Sequence, residues 1–246
     1  MEKNYLATQN CMDYDSMDIY YLEMSKKIIF WKIHLNWFIP FISELYPLTK
    51  FQLLQYEDIL DWNRIAVNQF ITWDKESSDY FQDKIENAQM IKPRIVSYMD
   101  SNDHYIVRNI NLIGWNPEYH EAIQNNEIVK SKEIWKQIHF GYYKIPNNAE
   151  DKLTLLLDKF DCEINYDDNT FERFPIPTKL IEEDFESVDW ERLSGYWGLW
   201  WSFEFLQKFE NYWVTEKLIE NHTVFNYCLK DDLNDEFIVN VLTCLE

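Results

Sequence analysis

Five histidines (His34, His104, His120, His139, His222) and four cysteines (Cys11, Cys162, Cys228, Cys244) are the side chains best suited to bind a metal or attack a substrate. Their spacing supports neither chemistry. His120-Glu121-Ala122 opens as a zinc-protease helix would, but the second imidazole that site needs one turn on is replaced by Gln124. His104 has no His or Cys at ligand spacing and reads as a hydrogen-bonded core histidine. The stretch Asp158 to Asp168 offers carboxylates for calcium, yet it lacks the EF-hand spacing and its glycine. No Gly-x-Ser-x-Gly elbow presents a nucleophile. With 43 acidic residues, adjacent carboxylates arise by chance, and an acid–base pair is defined by geometry rather than adjacency. The sequence therefore assigns no catalytic, metal-binding or cofactor-binding residue, and the expectation is a protein that is not an enzyme.

The chemistry that remains is charge. Lys and Arg number 23, so the net charge is −20. It is unevenly spread: residues 150–246 hold 23 acidic and 8 basic residues, net −15, which leaves −5 for residues 1–149. Such a field repels nucleic acid and anionic membrane and draws basic partners at salt-sensitive rates. The candidate partner-binding residues are Asp158, Asp161, Glu163, Asp167 and Asp168, with Glu182, Glu183, Asp184 and Glu186. The bland reading is that these are solvated surfaces keeping an aromatic-rich chain soluble. The sharper one is an immunity or antitoxin-like protein that neutralises a basic toxin. An adaptor solenoid gripping a peptide or helix, and a nucleic-acid mimic that occupies a DNA-binding protein, are the alternatives. Direct binding of nucleic acid is disfavoured, because the basic residues are few and dispersed.

The elements that must position these charges follow a grid. Trp62, Ile65, Asn68, Ile71, Trp73 and Glu76 recur in type as Trp190, Leu193, Tyr196, Leu199, Trp201 and Glu204. The grid also falls on Phe30, Ile33, Asn36, Ile39, Phe41 and Glu44, and on His104, Val107, Ile110, Ile113, Trp115 and Glu118. Partial copies lie at Trp135, Ile138 and Gly141, and at Leu218, Asn221 and Val224. The central positions are 32, 42, 31, 55 and 25 residues apart, a degenerate repeat with no fixed period. Apolar steps of three suit a short helical turn, and Asn or Gly at the centre suits a helix stop. A second helix then begins near Pro40, Thr72, Gly114 or Trp200, placing Glu44, Glu76, Glu118 and Glu204 in its first turn. A carboxylate there gains roughly 0.3–1 kcal/mol from the helix dipole. The longer helices carry apolar stripes, Trp73-Ser77-Phe81-Ile85-Ala88 and Trp201-Phe205-Phe209-Trp213. Such a hairpin cannot bury its apolar side alone and must stack on neighbours, with the tryptophans filling the joints.

At these residues the chain resembles uncharacterised proteins of bacteria and large DNA viruses that carry tandem Trp-x-x-Leu-Ser-x-Asn-x-x-Ile-x-Trp units. WNRIAVNQFITWDKE and WERLSGYWGLWWSFE look like members, and the Leu-Ser step is present at Leu193-Ser194. The resemblance covers about half the chain and implies a helical repeat fold without a catalytic residue.

The expected fold is mainly α, a degenerate helical-hairpin repeat of solenoid type with an irregular acidic loop at 161–178. Residues 1–22 form a polar arm, 23–147 the first repeats, 148–178 a helix (Leu153 to Phe160) and the acidic connection, and 179–246 the last repeats. A helix from Leu48 to Leu60 sets Phe51, Leu54 and Ile59 on one face, and a closing helix runs from about Asp235 to Leu245. The outer face of that end, Asp231, Asp232, Asp235 and Glu236, reads as a polar cap. Only four glycines argue against nucleotide-binding loops and turn-rich β folds. No signal peptide, no CxxC and no apolar span predict a cytoplasmic protein with reduced thiols.

Overall fold

The computed structural model describes residues 14–71, 73, 75–88, 95–99, 105–109, 117–125, 127–140, 178–183 and 185–243. The fold is mainly α. In chain order the helices are α1 (Tyr14–Ile33), α2 (Leu35–Leu45), α3 (Lys50–Gln55), α4 (Trp62–Ile65), α5 (Lys75–Tyr80) and α6 (Gln82–Asn87). After two strands, β1 (Ile95–Met99) and β2 (Tyr105–Asn109), come α7 (Pro117–Gln124), α8 (Ile128–Gln137), α9 (Thr178–Glu183) and α10 (Trp190–Ser194). The chain continues through α11 (Phe203–Lys208), α12 (Thr215–Leu218), α13 (His222–Cys228) and α14 (Asp235–Leu242). Two compact units result: residues 1–35 with 232–246, and residues 36–231.

In the smaller unit α14 packs on α1, and Lys27 Nζ meets Asp232 Oδ2 at 2.7 Å. Asn234 caps α14 by accepting from the Phe237 N–H at 2.8 Å, and Phe237, Ile238, Val241 and Leu242 supply its buried face. Helix α1 begins at Tyr14, so residues 14–22 of the expected arm are helical.

In the larger unit, short helices are started by side chains and stopped by turns. Thr49 and Gln52 form a reciprocal capping box at α3, and Asp61 caps α4 through the N–H groups of Asn63 and Arg64. Asp189 caps α10 through the Arg192 N–H and Ser202 caps α11 through that of Phe205. The core is aromatic. Trp135 is buried and donates its Nε1–H to the Leu45 carbonyl at 2.8 Å, and its ring meets Tyr46, Phe140 and Phe225. The Tyr119 hydroxyl donates to the Phe70 carbonyl at 2.8 Å, and burial raises its pKa. A second cluster joins Trp190, Trp201, Phe205, Phe209, Tyr212 and Trp213.

Several expected elements have their expected form. The turn Trp62–Ile65 is helical, and Glu76, Glu118 and Glu204 stand in first turns of α5, α7 and α11. The stripes at Ser77, Phe81 and Ala88, and at Trp201, Phe205, Phe209 and Trp213, are buried, although α5 gives way to α6 at Phe81 and α11 ends at Lys208.

The copy placed on Phe30 to Glu44 is a misreading. Asn36 and Pro40 lie inside α2, and Glu44 sits in its last turn. Burying Trp37, Phe38, Phe41, Ile42 and Leu45 on one helix, at about 1.5–3 kcal/mol each, outweighs the roughly 3 kcal/mol an internal proline costs. Helix α3 is also shorter than expected; Phe51 and Leu54, one turn apart, are both exposed, while Leu53 and Gln52 are buried. Val107, a grid position, lies in β2, which pairs antiparallel with β1 so that Ser97 opposes Val107. The β-branched and aromatic residues of Ile95-Val96-Ser97-Tyr98 and Tyr105-Ile106-Val107 explain why a strand pair wins there. His104, Ile110, Ile113, Trp115, Gly141, Leu153 to Phe160 and the loop at 161–177 lie outside the described residues.

Candidate functional site

Two places in the larger unit repeat one set of hydrogen bonds. At the first, the Asp61 N–H donates to Ser43 Oγ at 3.1 Å. Asn68 Nδ2 donates to the carbonyls of Ser43 and Tyr46 at 2.8 and 2.9 Å, while its Oδ1 accepts from the Phe70 N–H at 2.8 Å. At the second, the Val214 N–H donates to Ser194 Oγ at 2.9 Å. Asn221 Nδ2 donates to the carbonyls of Ser194 and Tyr196 at 3.1 and 3.0 Å, and its Oδ1 accepts from the Thr223 N–H at 3.2 Å. In both, an asparagine three residues past a short helix (α4 or α12) closes off, through its amide, the helix end of the preceding segment. Ser43, Asn68, Ser194 and Asn221 are all buried. An amide is the one uncharged side chain that supplies two N–H donors and an acceptor together, so it satisfies two orphan carbonyls and one orphan N–H.

A charged cluster stands between these two latches. Arg64, on α4, forms ion pairs through Nη1 with Glu44 and through Nη2 with Glu220, and its Nε is 3.6 Å from Asp61. The other Glu44 oxygen lies 3.2 Å from His222 Nε2, and the Trp197 ring packs against the imidazole at 5.7 Å. Glu44 follows Ser43, while Glu220 and His222 flank Asn221, so the cluster is built on the latches' own neighbours. Burial pushes the Glu44 carboxyl up, but His222 and Arg64 outweigh it and hold it below the ordinary value. Burial works against the Arg64 charge too, and Glu44 and Glu220 reverse it, raising its pKa. His222 Nδ1 and Thr223 Oγ1 are buried without a hydrogen-bond partner among the described residues.

Lys230 is a second buried cation. Its Nζ donates to the carbonyls of Lys136 and Ile138 at 2.6 and 2.5 Å and lies 5.5 Å from the Phe140 ring centre. Burial lowers its pKa, against the pull of Asp231.

Of the acidic residues expected to meet a partner, Asp158, Asp161, Glu163, Asp167, Asp168 and Asp184 lie outside the described residues. Glu182 and Glu183 are exposed on α9, and Glu186 is exposed on the 3-10 turn Phe185–Ser187 that follows. Glu182 meets Lys208 at 3.1 Å and Glu183 meets Lys179 at 3.8 Å. Glu186 and Glu191 are exposed with no ion-pair partner among the described residues. Aromatic packing holds this strip: Phe185 stacks near Phe209 and Tyr212, and its carbonyl accepts from Trp190 Nε1 at 3.3 Å.

Among the described residues no group of three or more His, Cys, Asp or Glu is arranged to hold a metal ion, and no helix is long and apolar enough to cross a membrane. The Glu44–Arg64–Glu220–His222 cluster was not foreseen, because its members lie far apart in sequence. A signal did exist for the Ser43 latch: Ile42-Ser43 followed by Leu45 and Leu48 matches Leu193-Ser194 followed by Tyr196 and Leu199. No family model, no curated protein and no solved structure matches the chain.

Proposed function

We propose that the protein is a non-catalytic, helical-repeat binding protein that engages a basic protein through its acidic surface, in the manner of an immunity protein neutralising a toxin. The recurrence of the serine–asparagine latch supports the repeat: each latch ties a short helix to the end of the segment before it, which is how stacked units stay in register. The observation that carries the binding reading is the strip from Glu182 to Glu191. Five of its residues, Glu182, Glu183, Glu186, Asp189 and Glu191, are exposed carboxylates beside the packed rings of Trp190, Phe209 and Trp213, with Glu182 and Glu183 also meeting Lys208 and Lys179. A fixed array of like charge in a chain of net −20 steers a cationic partner and loses that advantage as salt rises.

The test is a pull-down with the full chain from nuclease-treated extract of its native source, eluted along a salt gradient. The reading expects one basic protein, released by moderate salt and toxic when expressed alone. Changing Glu182, Glu183 and Glu186 to Lys should weaken that capture and flatten its salt dependence. Capture that is indifferent to both salt and these substitutions would overturn it. A second reading has its own support: Phe51 and Leu54, one helical turn apart on α3, are both exposed. They fit an adaptor that docks an apolar peptide, and a salt-resistant partner lost on Phe51→Ser would select it.

A further inference from the structure

Helix α1 leaves an apolar stripe uncovered. Ile19, Leu22, Ile29 and Ile33 are all exposed, Ile29 to 58% and Ile33 to 70%. With Lys26 they fall at positions 19, 22, 26, 29 and 33, alternating steps of three and four, the spacing that keeps one helix seam facing another helix. The buried side of α1 lies elsewhere: Phe30 and Trp31 are covered, and Lys27 is held by Asp232. Residues 18–23 are exposed on every side, including Tyr20 and Tyr21. Four aliphatic side chains in one seam are more than scattered surface residues; a stripe of this kind marks an interaction surface.

Charge says what covers it. In a chain of net −20, α1 is neutral, with Asp15, Asp18 and Glu23 balanced by Lys26, Lys27 and Lys32. The carboxylates occupy its first half and the lysines its second. A second α1 laid alongside in parallel would set acid on acid and base on base; laid antiparallel, it brings the acidic half of each copy to the basic half of the other, with Asp18 facing Lys32 at both ends. The heptad geometry permits this register. With Ile19 against Ile29 of the other copy, Leu22 packs on the aliphatic stem of the other Lys26, Ser25 lies at the twofold axis, and Asp18 stands opposite the other Lys32. The two Glu23 side chains come to the same side, where each has its own Lys26 at 2.6 Å to neutralise it.

We infer that the α1 stripe Ile19-Leu22-Ile29-Ile33 is the contact surface for a second copy of this chain, paired antiparallel about Ser25. The surface is two heptads long, below the size of a standard stable interface, so the dimer forms at tens of micromolar, about 10–100 μM.

Sedimentation velocity of the full chain from about 1 to 300 μM tests it. The expected result is a shift from a 30.2 kDa species towards twice that mass, with Leu22→Glu and Ile29→Glu each weakening association at least about tenfold. Because both side chains are exposed, thermal unfolding of the two variants should match that of the parent, which separates lost association from lost folding. The orientation has its own test. Asp18→Lys and Lys32→Asp should each associate poorly alone, whereas an equimolar mixture of the two restores opposite charges at both crossings and recovers the dimer. A chain that stays monomeric at 300 μM, or that dimerises undiminished with Ile29→Glu, overturns the inference. A mixture that fails to recover overturns the antiparallel pairing.

Discussion

The latch at Ser43, Asp61 and Asn68 and the latch at Ser194, Val214 and Asn221 make the same bonds with different surroundings. In the first, the residue after the serine is Glu44 and the residue before the aliphatic Ile65 is Arg64; in the second, these places are Gly195 and Lys217. Asp61 caps its helix with a carboxylate, whereas Val214 has no side-chain cap. What recurs is the side chain that satisfies buried backbone; what changes is the charge around it. The difference separates two tasks. Ser and Asn close helix ends that would otherwise be orphaned, a demand every joint shares. The charged residues are local, and Arg64 and Glu44 use theirs to bind the neighbours of Asn221.

The largest effect should come from breaking the shared part. Asn68→Asp or Asn221→Asp replaces two donors with a carboxylate facing two carbonyls, and each should lose about 3–4 kcal/mol in urea unfolding. Next is the part unique to the first latch. Arg64→Ala leaves Glu44 without its guanidinium and should lose about 2–3 kcal/mol, while Lys217→Ala, exposed and unlinked to that cluster, should change stability by less than about 0.5 kcal/mol.

Acid sharpens the same contrast. The Glu44 carboxyl is held below its ordinary 4.5, so its contribution is present above that pH and is lost as pH falls through the lower folded value. Stability measured from pH 6 to pH 3 should therefore fall less steeply in Glu44→Gln than in the parent. The smallest effect is a transfer: Val214→Asp gives α12 the cap that α4 has, and should add up to about 1 kcal/mol, while Asp61→Ala should remove about as much.

How much of this was legible follows from the same contrast. The positions of Asn68, Asn221 and the turn Trp62–Ile65 are declared by local spacing, aliphatic steps of three and then an amide, but the amide's role differs from the expected stop: the short helices end at Ala66 and Ile219, and Asn221 starts the next helix as its N-cap. Ring type at Phe30 and Phe41 points to the wrong frame for the first copy, because the bond there is made by the Ser43 hydroxyl. Matching Ser43 to Ser194 would have put Leu45 and Leu48 in their buried places. The exposed carboxylates of α9 were legible from composition. Glu44, Arg64, Glu220 and His222 were not, since residues brought together across 156 and 20 positions leave no local pattern. The α1 stripe was hidden by its uniformity: Ile28, Ile29, Phe30 and Trp31 run together, and only packing decides which face is covered.

The proposed repeat makes the two latches one joint used twice. The most direct measurement is the loss of unfolding free energy in Asn68→Ala and in Asn221→Ala, taken by urea denaturation under identical conditions. The expected losses are about 2–3 kcal/mol each, equal to within about 1 kcal/mol. A large loss at one asparagine with none at the other would contradict it.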